Sequence, residues 1–96
     1  MSNNELKFLI LRLRELTLDY RLTENDNISN HISSVEIALN LTEMYLDEKR
    51  NILKSERIWF DACYNLSYTF SSDSKWSEVV NLYCSLSDEM HLRKFY

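Results

Sequence analysis

Apolar residues recur every three or four positions near the start of the chain, which is the spacing of one face of an α-helix. The residues of this stripe are Leu6, Leu9, Leu13, Leu16 and Tyr20. The pattern predicts a first helix over residues 5–22. From Leu16 to Leu22 the chain also alternates apolar and polar residues, as a β-strand does. Because a single strand would have no evident partner here, we favour the helix.

A second apolar face runs along the same predicted helix. It consists of Phe8, Leu11, Leu18 and Leu22. A helix that is apolar on two faces has to be covered twice, once by its own domain and once by something else. We therefore expect this second face to contact either a partner protein or another copy of the chain.

Three further segments show helical periodicity. The stripe of the second helix, predicted over residues 29–50, is Ile28, Ile32, Val35, Leu39, Thr42 and Leu46. The third helix is predicted over residues 52–70 and the fourth over residues 74–91, with a polar, serine-rich loop between them. A break near Asn51 separates the second helix from the third, although one long helix through Asn51 fits the pattern as well.

The chain contains neither glycine nor proline, whereas average usage would supply about eleven or twelve of them. Tight hairpin turns rely on glycine, so this composition favours helices joined by polar loops over a β-sheet. It also excludes the glycine-rich loops that bind phosphates or dinucleotides. The sequence predicts one all-α domain over residues 1–96, a small antiparallel bundle of about four helices.

The last two predicted helices carry some residues of a known repeat. Leu66, Phe70 and Tyr83 fall at the leucine and aromatic positions of a tetratricopeptide unit, so this hairpin resembles one such repeat. The chain departs from the repeat pattern at Ser67, where glycine is expected, and at Val79 and Leu86, where alanine is usual, and it lacks the closing proline. The resemblance implies a helical hairpin in the C-terminal half.

No combination of residues predicts a catalytic centre. The two histidines, His31 and His91, lack the signature of a nucleophile nearby, and Asp88 with His91 supplies only half of a helical-bundle metal site. Glu43 and Asp47 share a helix face, where a solvated acidic surface is the simpler interpretation. We expect no enzymatic activity, no metal and no cofactor.

Charge is distributed unevenly along the chain. The net charge is −4, and residues 15–48 hold eight acidic residues against one basic residue, Arg21. Such a surface would steer association with a basic protein partner. A smaller basic patch, formed by Arg50, Lys54 and Arg57 on one helix face, suggests nucleic-acid binding, which the negative net charge disfavours. The acidic residues expected to bind the partner are Asp19, Glu36, Glu43, Asp47 and Glu48.

These patterns together predict a small protein-binding module. Our first hypothesis is an inhibitor, immunity protein or antitoxin that docks its acidic surface on a basic partner. The second is a chaperone or assembly subunit, for example of a secretion system, that holds a helix of its partner. The third is a nucleic-acid-binding regulator that uses the basic patch.

The sequence predicts no segment that would direct the protein to a membrane or out of the cell. It contains no long uncharged apolar stretch, and its start has neither the basic residues nor the cleavage site of a signal peptide. We therefore expect a cytoplasmic protein without membrane contact. In that compartment Cys63 and Cys84, which fall on apolar helical faces, are expected as free thiols.

Overall fold

The computed structural model describes residues 1–22, 26–63 and 74–93 of the chain. The described residues contain no β-strand, and none of their helices is long and apolar enough to cross a membrane. The predicted all-α fold, a small helical bundle, is therefore confirmed. The elements are helix α1 (Asn3–Leu22), helix α2 (Asp26–Leu46), a 3-10 turn (Lys54–Arg57), the short helix α3 (Ile58–Asp61) and helix α4 (Ser74–Leu92).

Helix α1 begins two residues earlier than predicted because Ser2 and Glu5 cap its first turn. The Ser2 hydroxyl accepts a hydrogen bond from the Glu5 amide at 3.1 Å, and Glu5 Oε1 accepts one from the Ser2 amide at 3.3 Å. This reciprocal pair satisfies two amides that a helix leaves without partners at its start. The helix then continues to Leu22, which excludes the strand that the alternation after Leu16 would also have allowed.

Helix α2 ends at Leu46, four residues earlier than predicted. The Lys49 amide donates to the Met44 carbonyl at 3.0 Å, and the Glu48 amide donates to the Tyr45 carbonyl at 3.2 Å. These two bonds form a Schellman motif, in which one residue after the helix is left-handed. That residue is Glu48, with a φ angle of 58°. Because glycine usually occupies this position, a chain without glycine carries no visible signal for the helix end.

The break expected near Asn51 is confirmed, since the backbone around this residue is not helical. The third helix starts with the 3-10 turn at Lys54, two residues later than predicted. The Glu56 carboxylate accepts a hydrogen bond from the Leu53 amide at 2.9 Å and so caps this turn. Arg50 binds the same carboxylate through two hydrogen bonds of 2.7 Å. The predicted continuation of this helix to residue 70 lies outside the described residues.

The remaining helix ends lie close to their predicted positions. Helix α2 begins at Asp26, three residues earlier than predicted. Helix α4 extends one residue beyond its predicted end. The tetratricopeptide-like hairpin stays a prediction, because Leu66 and Phe70 lie outside the described residues.

The core lies between the three long helices. Helix α1 packs against both α2 and α4, and α3 contacts α2 and α4. Tyr20 and Trp76 meet edge to face, with 5.4 Å between ring centroids and 87° between ring planes. The Tyr83 hydroxyl donates to the Trp59 carbonyl and ties α4 to α3. The largest fully buried side chains are Leu6, Leu13, Ile32, Val35, Leu39, Phe60, Trp76, Val79, Tyr83, Leu86 and Met90.

Candidate partner-binding surface

The second apolar face of α1 is exposed in the structure. Phe8 is 73% exposed, Leu11 58%, Leu18 60% and Leu22 78%. With Glu15 between them, these residues are spaced alternately by three and four positions, which is the heptad spacing of a helix that packs against another helix. We call Phe8, Leu11, Glu15, Leu18 and Leu22 the outer seam.

The outer seam points away from the domain because α2 and α4 cover the opposite side of α1. Leu6, Ile10, Leu13 and Leu16 are buried on that opposite side. Successive residues of a helix are rotated by about 100°, so positions two residues apart, such as Leu13 and Leu11, point in nearly opposite directions. The structure therefore places all four predicted apolar residues together on one exposed side of α1.

Glu15 is the charged residue at the centre of the outer seam. Its side chain is 69% exposed and accepts a hydrogen bond from Arg12 at 3.3 Å. Arg12 is held mainly by Glu78 of α4, through hydrogen bonds of 2.8 and 3.1 Å. The bonds to Glu78, and then the bond to Glu15, raise the pKa of Arg12, and the bond from Arg12 lowers the pKa of Glu78. Arg12 is therefore a partner of Glu78 first and of Glu15 second.

Two open grooves lie beside the first half of the outer seam. One of them, with a volume of about 260 Å³, runs between α1 and the end of α2, where Leu11 faces Leu46 and Asp47. The other, of about 360 Å³, is lined by Phe8 and Leu11 together with Lys7. Side chains of a docked helix could enter both grooves next to Leu11.

The predicted acidic surface is partly neutralised, because two of its five carboxylates pair with arginines of α1. Arg14 Nε donates to Glu43 Oε1 at 2.7 Å, and Arg21 Nε donates to Glu36. The two arginines are seven residues apart, as are the two glutamates, so antiparallel packing brings both pairs into register. The count of charge over residues 15–48 left out Arg14, which precedes that segment by one residue, and it included Arg21 without indicating which carboxylate this arginine meets. The other predicted carboxylates, Asp19, Asp47 and Glu48, are exposed.

The predicted basic patch does not form on one helix face. Arg50 lies in the link before the 3-10 turn, whereas Lys54 and Arg57 lie within the turn. Arg50 binds Glu56, and this hydrogen bond raises the pKa of Arg50 and lowers the pKa of Glu56. Arg57 pairs with Asp61 at 3.4 Å. The prediction of a common face was wrong because it required one helix to continue through residue 50.

The described residues hold no group of three or more His, Cys, Asp or Glu side chains that could bind a metal ion. His91 Nε2 lies 3.0 Å from Asp61 Oδ1. Cys63 and Cys84 are free thiols. Burial, followed by the nearby Cys84, raises the pKa of Cys63 to about 12. The Cys63 thiolate is therefore scarce at neutral pH, and the thiol is a poor nucleophile there.

A polar cavity of about 410 Å³ is lined mainly by the end of α2 and the link that follows it, together with Asn3 of α1 and Arg93 after α4. Arg93, which lines it, donates to Glu89 at 2.9 Å, to the Asn3 side chain at 2.7 Å and to the Met1 carbonyl at 2.8 Å. The bond between Arg93 and Glu89 raises the pKa of Arg93 and lowers the pKa of Glu89. Arg50, on the same cavity, binds Glu56. These arginines serve the fold by tying elements together.

Comparison of the chain with protein-family models, with curated proteins and with solved structures found no match. No function is therefore transferred from a relative.

Proposed function

We propose that this protein is a protein-binding module that holds an amphipathic helix of its partner against the outer seam, as a chaperone or assembly subunit does. The observation that carries this proposal is the exposure of four large apolar side chains at heptad spacing on one helix. On a typical monomer the largest exposed apolar patch covers about 300–600 Å² and is often a functional surface. An exposed row of four large apolar side chains therefore indicates a binding surface. A partner helix is the element whose side chains match heptad spacing.

Burial of the outer seam would supply part of the binding free energy. Full burial of a leucine or phenylalanine side chain contributes about 1.5–3 kcal/mol, and on average about two thirds of each of the four side chains is exposed. A partner that covers all four therefore gains on the order of 6 kcal/mol. Association costs about 4–15 kcal/mol in lost translational and rotational freedom. A stable complex thus needs polar contacts in addition to the apolar ones.

The second candidate function is that of an inhibitor, immunity protein or antitoxin with an acidic surface for a basic partner. The exposed carboxylates of Asp19, Asp47 and Glu48 favour it. Glu36 and Glu43 contribute less, because arginines of α1 already pair with them. Docking through carboxylates weakens strongly as ionic strength rises, whereas docking through the outer seam does so much less. The response of binding to salt therefore separates the two candidates.

A nucleic-acid-binding role has less support. The net charge of the chain is −4, and phosphate binding needs a surplus of positive charge. Two of the three predicted basic residues, Arg50 and Arg57, are paired with carboxylates of this chain. A gel shift at low salt is the direct check, and we expect it to show no complex.

Capture of partners by the tagged chain in cells of its native host tests the proposed function. Leu11→Ser and Leu22→Ser should each abolish capture of the proteins that the wild-type chain retains. The matched controls are Leu53→Ser and Leu92→Ser, which lie outside α1. Their leucines are 58% and 79% exposed, against 58% and 78% for Leu11 and Leu22.

The proposal expects the controls to capture the same proteins as the wild type, at high salt as well as at low salt. Capture that persists in both seam variants contradicts it, as does equal loss in all four variants. Capture that disappears with added salt but survives both seam substitutions would favour the acidic-docking candidate instead. Far-ultraviolet circular dichroism is the check that each variant is folded. Folding is expected because every substituted leucine is exposed.

A further inference from the structure

The residue types of the outer seam indicate the chemistry of the partner that would pack against it. We infer that the partner is an amphipathic helix whose apolar stripe is interrupted at its centre by one lysine or arginine. The inference rests on the proposed function, since it describes the occupant of the same surface. Its basis is the position of Glu15 between two apolar pairs, Phe8 with Leu11 and Leu18 with Leu22.

Glu15 stands where a docked helix would approach α1 most closely. In heptad packing, each seam position inserts between side chains of the facing helix and loses contact with water. An ionised carboxylate moved out of water is unfavourable unless a positive charge and hydrogen bonds replace its hydration. A lysine or arginine at the matching position of the partner supplies both.

The carboxylate of Glu15 is available for this contact because Arg12 is committed to Glu78. Two hydrogen bonds, of 2.8 and 3.1 Å, hold the Arg12 guanidinium on Glu78, and the bond from Arg12 to Glu15 is longer, at 3.3 Å. A carboxylate has about four lone-pair positions for hydrogen bonds. The contact with Arg12 therefore leaves Glu15 able to accept further bonds from a partner.

A second copy of this chain fits the outer seam less well. The seam contains no basic residue, so self-association would place Glu15 against either another Glu15 or an apolar side chain. Of the neighbouring basic residues, Arg12 and Arg14 are already paired with Glu78 and Glu43, and Lys7 lies at the start of the seam, about 12 Å along the helix from Glu15. Facing carboxylates repel each other, and a carboxylate against a leucine is left without a counter-charge. The charge that attracts a basic partner helix therefore also disfavours a dimer.

Three synthetic amphipathic peptides test the inference. They share leucines at the a and d positions of a heptad pattern and differ only at the central a position, which is lysine, glutamate or leucine. The wild-type protein should bind the lysine peptide about tenfold more tightly than the glutamate peptide, as measured by fluorescence anisotropy. Glu15→Lys should reverse this order, because it reverses the charge at the centre of the seam.

Two further variants separate this inference from the proposed function. Asp19→Lys makes the same charge change at an exposed position of α1 outside the seam, and it should preserve the order of the peptides. Leu18→Ser should weaken the binding of all three. If Leu18→Ser changes the binding of none, the proposed function itself fails. If it weakens binding but the lysine and glutamate peptides bind equally, or the leucine peptide binds most tightly, only the inference about charge is overturned.

Analytical ultracentrifugation without peptide examines self-association. The inference expects the wild-type chain to be monomeric at the concentrations used for peptide binding. A dimer that dissociates on Leu18→Ser would show that a second copy covers the seam, and it would overturn the assignment of a basic partner helix.

Discussion

Replacement of Glu48 by glycine should stabilise the protein. Glu48 completes the Schellman motif at the end of α2 in a left-handed conformation, with a φ angle of 58°. A residue with a Cβ atom is disfavoured in that conformation, whereas glycine adopts it at no steric cost. The two capping hydrogen bonds are made by backbone groups, so Glu48→Gly retains them.

The expected gain is about 1 kcal/mol in the free energy of unfolding. The left-handed conformation costs a residue with a Cβ atom about 1–2 kcal/mol, and glycine offsets about 0.5–1 kcal/mol of that through the greater entropy of its unfolded chain. Removal of the carboxylate adds to the gain, because an anion at the C-terminal end of a helix is unfavourable by about 0.3–1 kcal/mol. In a domain of this size, 1 kcal/mol corresponds to a rise in Tm of roughly 4–8 °C.

Urea unfolding followed by far-ultraviolet circular dichroism measures the change. Glu48→Ala is the matched control, because it removes the same charge and keeps the Cβ atom. The difference between the glycine and alanine variants is therefore the relief of the left-handed conformation, less the greater entropy that glycine has in the unfolded chain. An alanine variant as stable as the glycine variant, or a glycine variant less stable than the wild type, would refute the reasoning.

Three further predictions concern the two faces of α1, an ion pair and a buried thiol. Leu13→Ala should lower the free energy of unfolding by about 2–5 kcal/mol, because it leaves a cavity in the core, while Leu18→Ala should change it by less than about 0.5 kcal/mol. Equal losses in urea unfolding would contradict the assignment of the faces. The hydrogen bond from Arg12 lowers the pKa of Glu78, so their pair adds stability above the ordinary glutamate pKa and loses it as the pH falls through the lowered value. The Tm of Arg12→Gln should therefore fall less on acidification than that of the wild type, and an equal fall would rule out this contribution. Cys63, whose pKa burial raises to about 12, should be alkylated by iodoacetamide at least about tenfold more slowly in the native than in the unfolded protein, and equal rates by mass spectrometry would show that the thiol is accessible.

The helices could be predicted from the sequence because a buried stripe is a local property of the chain. A helix turns by a constant angle per residue, so the spacing of apolar residues already defines which of them share a face. The residues of the first predicted stripe illustrate this: Leu6, Leu13, Leu16 and Tyr20 are buried. Leu9 is only partly buried, whereas Ile10, which the predicted stripe omits, is buried. The exposed face could be predicted for the same reason.

The pairing of charges could not be predicted, because it depends on how the helices pack. Arg14 and Glu43 are 29 residues apart in the chain, and Arg12 and Glu78 are 66 apart. Nothing local in the sequence indicates that either pair meets. A count of charge along the chain therefore overestimated the acidic surface.

Two features of the candidate site were missed for other reasons. Glu15 was counted only as an acidic residue, although its position between Leu11 and Leu18 completes a heptad pattern and could have been recognised. The end of α2 had no such signal, since a left-handed residue is usually marked by glycine and here it is Glu48. The misplaced basic patch has a related cause, because a face shared by Arg50, Lys54 and Arg57 needs one continuous helix, whereas α2 ends at Leu46 and the next turn starts at Lys54.

The stability of the fold gives no reason for the outer seam to be apolar. Phe8, Leu11, Leu18 and Leu22 are mostly exposed, and glutamine or lysine forms helices about as well as leucine does while keeping a surface more soluble. The arrangement of four apolar residues around one carboxylate contributes little to the stability of the monomer. In the proposed complex, it determines which helix can pack along α1. The carboxylates of α2 differ in this respect, since the fold already uses Glu36 and Glu43 to join α2 to α1. This difference is why the outer seam, rather than the acidic surface, is the stronger candidate for recognition of a partner.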